Sequence, residues 1–158
     1  VTYCFSLNFC PDLDYGNIRH SLEEQGISKP TAQQLRQTVI NIREAKLPDP
    51  KVMGNAGSFF MNPVVGRDVY ERLAARYEGM PHYVVDAEHI KIPAGWMIEQ
   101  CGWKGASLGR AGVHDRQALV LVNRGGATGG EVVALYKRII EDVRNKFGIE
   151  IHPEVNVI

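Results

Sequence analysis

The feature that most constrains this fold is the stretch Gly54–Pro63, which reads Gly-Asn-Ala-Gly-Ser-Phe-Phe-Met-Asn-Pro. Its two glycines and Asn55 tolerate positive φ angles, so the backbone can turn sharply and leave amide N–H groups exposed. Ser58 follows the second glycine directly, and Phe59 and Phe60 supply apolar rings that can bury one side of a turn. The residues alone therefore predict a turn that presents a serine hydroxyl, with a plain connecting loop as the open alternative.

The composition predicts a globular domain without a strongly charged surface. Of the 158 residues, 44% are hydrophobic and 23% are charged, which are ordinary proportions for a soluble protein. Lys and Arg together number 18, as do Asp and Glu, so the net charge is zero. We therefore expect neither nucleic acid nor a membrane as a partner. No apolar run approaches the roughly 20 residues that a membrane-spanning helix needs.

The three cysteines, Cys4, Cys10 and Cys101, are odd in number and match no metal-ligand spacing. They predict free thiols in a reducing, cytoplasmic compartment, and no metal site. The chain begins with Val1 in a β-forming run and without an initiator methionine, so we expect it to be a piece of a longer protein.

Two helices are predicted from their ends. Thr31 with Gln34, and Thr128 with Glu131, each form the capping-box pattern that begins a helix. The first helix should end before the prolines of the next loop, and the second should end at Gly148. The other predicted elements are an extended strand at 1–10, a helix at 67–77, strands at 83–85 and 89–92, a helix at 94–101, a loop at 104–112, a buried strand at 118–122 and an interrupted strand at 149–158. Because no β-α-β rhythm appears, we predict the α+β class, with short mixed or antiparallel strands packed with about four helices.

The glycine-rich loop Arg124–Gly130 lies between a strand and a helix, as a phosphate-binding loop does. A P-loop, however, needs Lys followed by Ser or Thr after its second glycine, and this chain has Glu131 there. We therefore predict a turn followed by a helix cap.

Seven stretches, taken together, resemble the C-terminal half of the UDP-N-acetylenolpyruvoylglucosamine reductase (MurB) family. They occur in the order of the family and cover nearly the whole chain. The stretches are Tyr15-Gly16, Lys46–Lys51, Gly54–Pro63, Ala94–Cys101, Lys104-Gly105, Ala111–Val120 and Pro153–Val155.

The resemblance implies a flavin reductase of peptidoglycan precursor synthesis. Such an enzyme passes hydride from NADPH to FAD and then to the enolpyruvyl double bond of its UDP-sugar substrate, giving UDP-N-acetylmuramate. It implies that residues 1–27 are the tail of a preceding flavin-region domain, including the Tyr15 substrate loop, and that residues 28–158 are the substrate-binding domain. Because FAD would be bound mainly outside this chain, we expect no cofactor-binding residue here and no activity from this chain alone.

The resemblance also implies roles for individual residues. Ser58 would give a proton to the enol intermediate, and Glu154 would help to polarise that intermediate. From the residues alone, Glu154 lies in an apolar run and is either solvent-facing or buried. The residues implied in substrate binding are Tyr15, Lys46, Asn62, Lys104 and Gln117.

Two other classes of function are open. One is a UDP-sugar-binding module without a redox role. The other is a hydrolase that uses Ser58 as its nucleophile, although the sequence around Ser58 lacks the G-x-S-x-G elbow of such enzymes.

Overall fold

Residues 1–4, 6–14 and 16–156 are described by the computed structural model. They divide into two units, Val1–Lys46 and Leu47–Ile158. The first unit consists of α1 (Ile18–Glu24), which the sequence did not predict, packed against α2 (Ala32–Lys46). The assignment of residues 1–27 to a flavin-region domain stays a prediction.

The predicted strand at residues 1–10 is wrong, because residues 1–4 and 6–10 form no strand. All of these side chains are exposed. A β-forming composition gives a strand only where a partner strand supplies hydrogen bonds and a packed face, and these residues have neither.

The predicted cap and end of α2 are confirmed. The Thr31 backbone N–H donates to Gln34 Oε1 at 2.8 Å, and the Gln34 backbone N–H donates to Thr31 Oγ1 at 3.3 Å. The helix then ends at Lys46, before the prolines of the following loop.

The second unit contains two antiparallel sheets and three helices among its described residues, and the α+β prediction is confirmed. One sheet has the strand order β1-β7-β6-β5, and the other has the order β2-β4-β3. The elements are β1 (Asn55–Ser58), β2 (Val64–Gly66), α3 (Arg67–Ala74), β3 (Tyr83–Val84), β4 (His89–Lys91), α4 (Ala94–Gln100), β5 (Ser107–Leu108), β6 (Ala111–Val113), β7 (Val120–Asn123) and α5 (Gly129–Phe147).

Several strands differ from the predictions. β1 lies inside the stretch that was predicted as a turn, and β5 lies inside the predicted loop 104–112. Within the last predicted strand, residues 149–156 are described, and they form only an isolated bridge between Pro153 and Phe60. Strands of two to four residues carry too little alternation to be recognised, because their pairing is decided by distant partners.

The core of the second unit forms where α5 packs against α4, β5 and β6. The buried side chains of α5 are Leu135, Ile139, Val143 and Phe147, as its helical spacing predicts. Among the described residues, no helix is both long and apolar enough to cross a bilayer.

The glycine-rich loop is a turn and a cap, as predicted. The Thr128 backbone N–H donates to Glu131 Oε2 at 2.9 Å, and the Glu131 backbone N–H donates to Thr128 Oγ1 at 3.3 Å. Glu131 Oε1 also accepts from the Arg110 backbone N–H at 3.2 Å, so one carboxylate joins α5 to the β5–β6 turn. These hydrogen bonds lower the pKa of Glu131 from its ordinary 4.5 to about 2.

We expect the free energy of unfolding to fall less steeply with decreasing pH in the variant Glu131→Gln than in the parent protein. The pKa of Glu131 is lower in the folded protein than in the unfolded chain. Between pH 4.5 and about pH 2, the unfolded chain therefore binds a proton at Glu131 that the folded protein does not. The stabilisation is therefore present above about pH 4.5 and is lost as the pH falls towards 2. Urea unfolding at several pH values should show a lower stability at neutral pH and a flatter acid limb in the variant. Glu78→Gln is the matched control, because Glu78 is exposed; equal acid limbs in the two variants would contradict the expectation.

Candidate active site

Ser58 is the exposed last residue of β1. It lies opposite Val120 of β7 in the first sheet. Its hydroxyl makes no hydrogen bond to any residue in the described part of the chain. A hydroxyl that the fold does not use is available to a ligand.

Two buried phenylalanines fix the backbone that carries Ser58. Phe59 is 3% exposed and Phe60 is 1% exposed, and their ring centroids lie 5.1 Å apart. The Phe59 ring also lies 5.4 Å from the ring of Tyr136 on α5. The apolar half of the stretch is therefore anchored in the core, while the serine stays at the surface.

Glu154 lies beside this strand end. Its backbone N–H donates to the carbonyl oxygen of Phe59 at 2.8 Å, and the Met61 backbone N–H donates to the His152 carbonyl oxygen at 2.9 Å. The Glu154 side chain is exposed and pairs with no described residue. Of the two interpretations left open by the sequence, solvent-facing is therefore the correct one. Glu154 is hydrogen-bonded to Phe59, and Ser58 directly precedes Phe59. The fold therefore places the two predicted catalytic residues, Ser58 and Glu154, in neighbouring backbone positions.

Asn62 and Gln117 both lie beside the first turn of α4. Asn62 Oδ1 accepts from the Ala94 backbone N–H at 2.8 Å. A Cβ atom placed on Gly95 would lie 3.6 Å from Gln117 Oε1, which itself accepts from the Leu119 backbone N–H at 3.3 Å. Both amides use their oxygen within the fold, so both present their NH₂ groups as free donors.

The loop that carries Gln117 is joined directly to the backbone beside Ser58. The Leu119 carbonyl oxygen accepts from the Phe59 backbone N–H at 2.8 Å. Four of the predicted site residues, Ser58, Glu154, Asn62 and Gln117, thus lie on segments connected to one another by hydrogen bonds.

A charged clamp holds the same loop at its other end. Arg124 Nη2 donates to Asp115 Oδ1 at 2.8 Å and to the Val113 carbonyl oxygen at 2.9 Å, and Arg124 Nη1 donates to Asp115 Oδ2 at 3.3 Å. The hydrogen bonds from Arg124 lower the pKa of the Asp115 carboxyl. Next to it, burial lowers the pKa of His114, whose Nδ1 accepts from the Arg116 backbone N–H at 3.3 Å.

Lys104 lies at the other end of α4. Its Nζ is 2.9 Å from Glu99 Oε1, in the last turn of that helix. Seven helical residues extend about 10 Å. The described contacts therefore do not bring Lys104 to the Asn62 and Gln117 amides.

Lys46 and Tyr15 belong to the first unit. Lys46 is the last residue of α2, it is exposed, and its amine pairs with no residue of the described ranges. Tyr15 lies outside the described residues, so its predicted role stays a prediction.

Residues 49–158 match the family model described as "UDP-N-acetylenolpyruvoylglucosamine reductase, C-terminal domain". The chain belongs to the UDP-N-acetylenolpyruvoylglucosamine reductase family.

Three curated relatives named UDP-N-acetylenolpyruvoylglucosamine reductase illustrate the similarity. The protein of Bacteroides fragilis (strain YCH46) is 62% identical over 147 residues, which are 92% of this chain and 43% of the relative. The protein of Burkholderia multivorans is 50% identical over 156 residues, covering 98% of this chain and 45% of the relative. The protein of Porphyromonas gingivalis is 51% identical over 158 residues, covering 100% of this chain and 46% of the relative. The chain thus spans less than half the length of these relatives.

Two features of this candidate site were missed by the sequence analysis. The first is the ion pair between Asp115 and Arg124, which joins a loop to the far end of β7. The two residues are nine positions apart in the sequence, and this spacing belongs to no local motif. Asn55 was predicted as a residue tolerant of positive φ, yet among the described residues only glycines have positive φ. Its side chain is engaged in hydrogen bonds instead, to the Met53 carbonyl oxygen and from the Gly57 backbone N–H.

Proposed function

We propose that this chain is the substrate-binding and proton-donating part of a UDP-N-acetylenolpyruvoylglucosamine reductase. The observation that supports this role is that hydrogen bonds join the segments of Ser58 and Glu154, at the end of β1, to the segments of Asn62 and Gln117, beside the start of α4. The reaction would reduce the enolpyruvyl double bond of a UDP-sugar to give UDP-N-acetylmuramate. NADPH would supply the hydride through FAD.

The proposed chemistry divides the addition of two hydrogen atoms between the two carbons of the double bond. Hydride adds to the carbon β to the substrate carboxylate, and the electron pair of the double bond moves towards that carboxylate as an enolate. Ser58 Oγ then gives its proton to the α carbon. A serine hydroxyl is weakly acidic, so the donor must be held close to the carbon and the developing charge must be stabilised by neighbouring donors. Glu154, the exposed neighbour of this strand end, would polarise the same intermediate.

The two amides fit a ligand that is rich in acceptor oxygens. Asn62 and Gln117 each have their oxygen engaged by a backbone N–H, which leaves the NH₂ groups for a sugar, pyrophosphate or carbonyl oxygen. In a chain of zero net charge, a diphosphate needs local cations. Lys46, whose amine has no partner among the described residues, would supply one, and Lys104 would supply another if it left Glu99.

The glycine-rich loop before α5 does not fit the diphosphate of FAD or NADPH. The helix N-terminus there is closed by the Thr128–Glu131 capping box, and Glu131 is ionised at neutral pH with a pKa of about 2. A phosphate at this helix N-terminus would meet the negative charge of the Glu131 carboxylate. We therefore do not assign this loop to either cofactor.

The serine-hydrolase alternative receives less support. Among the described residues no histidine contacts the Ser58 hydroxyl, so Ser58 has no general base of the kind a serine hydrolase requires.

A cytoplasmic location is part of the proposal, supported by the free thiols of Cys4, Cys10 and Cys101.

We expect a full-length hybrid reductase to be active when its C-terminal part is this chain. The hybrid is the Bacteroides fragilis relative in which the matching 147-residue stretch is replaced by this chain. The two sequences are 62% identical over that stretch. NADPH oxidation should depend on the enolpyruvyl UDP-sugar and should yield UDP-N-acetylmuramate. A hybrid that folds and retains flavin but produces no UDP-N-acetylmuramate would contradict the proposal.

A further inference from the structure

The end of β1 departs from regular strand pairing immediately before Ser58. Asn55 lies opposite Val122 of β7, and Ser58 lies opposite Val120. Three residue steps on β1 thus match two steps on β7, which is the arrangement of a β-bulge.

The bulge decides on which face of the sheet Ser58 lies. In an unbroken ladder Ser58 would lie opposite Leu119, and Leu119 and Leu121 pack with the core around α5. Because a shift of one residue exchanges the two faces, the bulge moves Ser58 to the other face and lets Phe59 enter the core. The exposed Ser58 and the 3% exposed Phe59 agree with this reading.

The side chain of Asn55 makes two hydrogen bonds to the backbone around the bulge. Asn55 Nδ2 donates to the Met53 carbonyl oxygen at 3.0 Å, and Asn55 Oδ1 accepts from the Gly57 backbone N–H at 3.1 Å. Gly57 has φ +68°, a left-handed conformation that an L-residue adopts only with strain. The half-buried Asn55 amide therefore bridges the residue before the bulge and the glycine directly before Ser58.

We propose that Asn55 is a positioning residue for the proposed proton donor: its amide fixes the β1 bulge that turns the Ser58 hydroxyl away from the face of Leu119 and Leu121 and towards the substrate. This inference rests on the proposed function. Asn55 need not touch the substrate; it acts through Ser58. A misplacement of a reacting group by about 1 Å can cost about 10²-fold in rate.

The test uses the full-length hybrid and measures the two half-reactions separately by stopped flow. Asn55→Ala should leave the reduction of flavin by NADPH unchanged and slow reoxidation by the enolpyruvyl substrate about 10- to 100-fold. Asn55→Asp keeps the acceptor for the Gly57 N–H and should recover part of the rate. In a Ser58→Ala background, Asn55→Ala should cost less than about twofold, because residues that act as a unit are not additive.

Asn123→Ala is the matched control. Asn123 Oδ1 also accepts from two backbone N–H groups, those of Gly125 at 2.8 Å and Ala127 at 2.9 Å, but it holds a different loop. Reoxidation by this variant should remain at the parent rate.

The outcomes separate this inference from the proposed function. If Ser58→Ala slows reoxidation but Asn55→Ala does not, the positioning role is wrong while the role of Ser58 stands. An equal loss from Asn55→Ala with and without Ser58 would also overturn it, since the effect would then be structural. If Ser58→Ala itself reoxidises at the parent rate, Asn55 has no donor to position, and the role proposed for Ser58 is wrong together with this inference.

Discussion

Ser58→Ala in the full-length hybrid should slow reoxidation of the reduced flavin by the enolpyruvyl substrate about 10²- to 10⁴-fold, the range that a general acid contributes. Reduction of the flavin by NADPH should proceed at the parent rate, because that half-reaction involves no proton transfer to the substrate. The Ser58 hydroxyl is exposed and has no hydrogen-bond partner among the described residues. Its removal should therefore leave the fold intact, with a change in stability within about 0.5 kcal/mol.

Two further variants control for the volume and position of the hydroxyl. Ser58→Cys keeps a donor of similar size and should recover part of the lost rate. Ser28→Ala removes another exposed serine hydroxyl, from the first unit, and should have no effect. Parent-rate reoxidation by Ser58→Ala would show that the hydroxyl is only a strand-end residue, and Glu154 or a bound water would become the better candidate for the donor.

The ends of α2 and α5 could be predicted because their signals are local. A capping box with its partner three residues away, and a stop at proline or glycine, fix the ends of α2 and α5 without reference to the rest of the chain. The αL glycine after α5, Gly148 at φ +69°, is where the sequence placed it.

The strands could not be predicted in the same way, because their partners are distant. Residues 1–10 have a β-forming composition, yet those of them that are described form no strand, whereas β1 forms from Asn-Ala-Gly-Ser because β7 lies beside it. A glycine and an asparagine have low strand propensity, and tertiary pairing overrides it here.

The candidate site falls between these two cases. Resemblance to the family selected Ser58, Glu154, Asn62 and Gln117, and the fold joins the segments that carry them. What the sequence could not supply is the state of each group: which amide oxygen is already engaged, and which side chain is left free. Those depend on backbone N–H groups 2 to 32 residues away in the chain.

Phe60→Ala should destabilise the chain by about 3–5 kcal/mol, the cost of removing a large aromatic side chain from a packed core. Phe60 is 1% exposed, and its ring packs against Phe59. Its backbone also forms the bridge to Pro153, next to Glu154. The cavity would therefore weaken the contact that holds the Glu154 segment against β1, and the site would be lost together with stability.

Urea unfolding measures this loss, and the adjacent residue provides the control. Met61 is 47% exposed, so Met61→Ala should change the free energy of unfolding by no more than about 0.5 kcal/mol. Phe60→Leu keeps much of the buried volume and should lose less than Phe60→Ala, with the same denaturant slope. If Phe60→Ala and Met61→Ala differed by less than about 1 kcal/mol, Phe60 would not anchor this stretch. The fixed backbone beneath Ser58 would then have to come from the β1–β7 pairing alone.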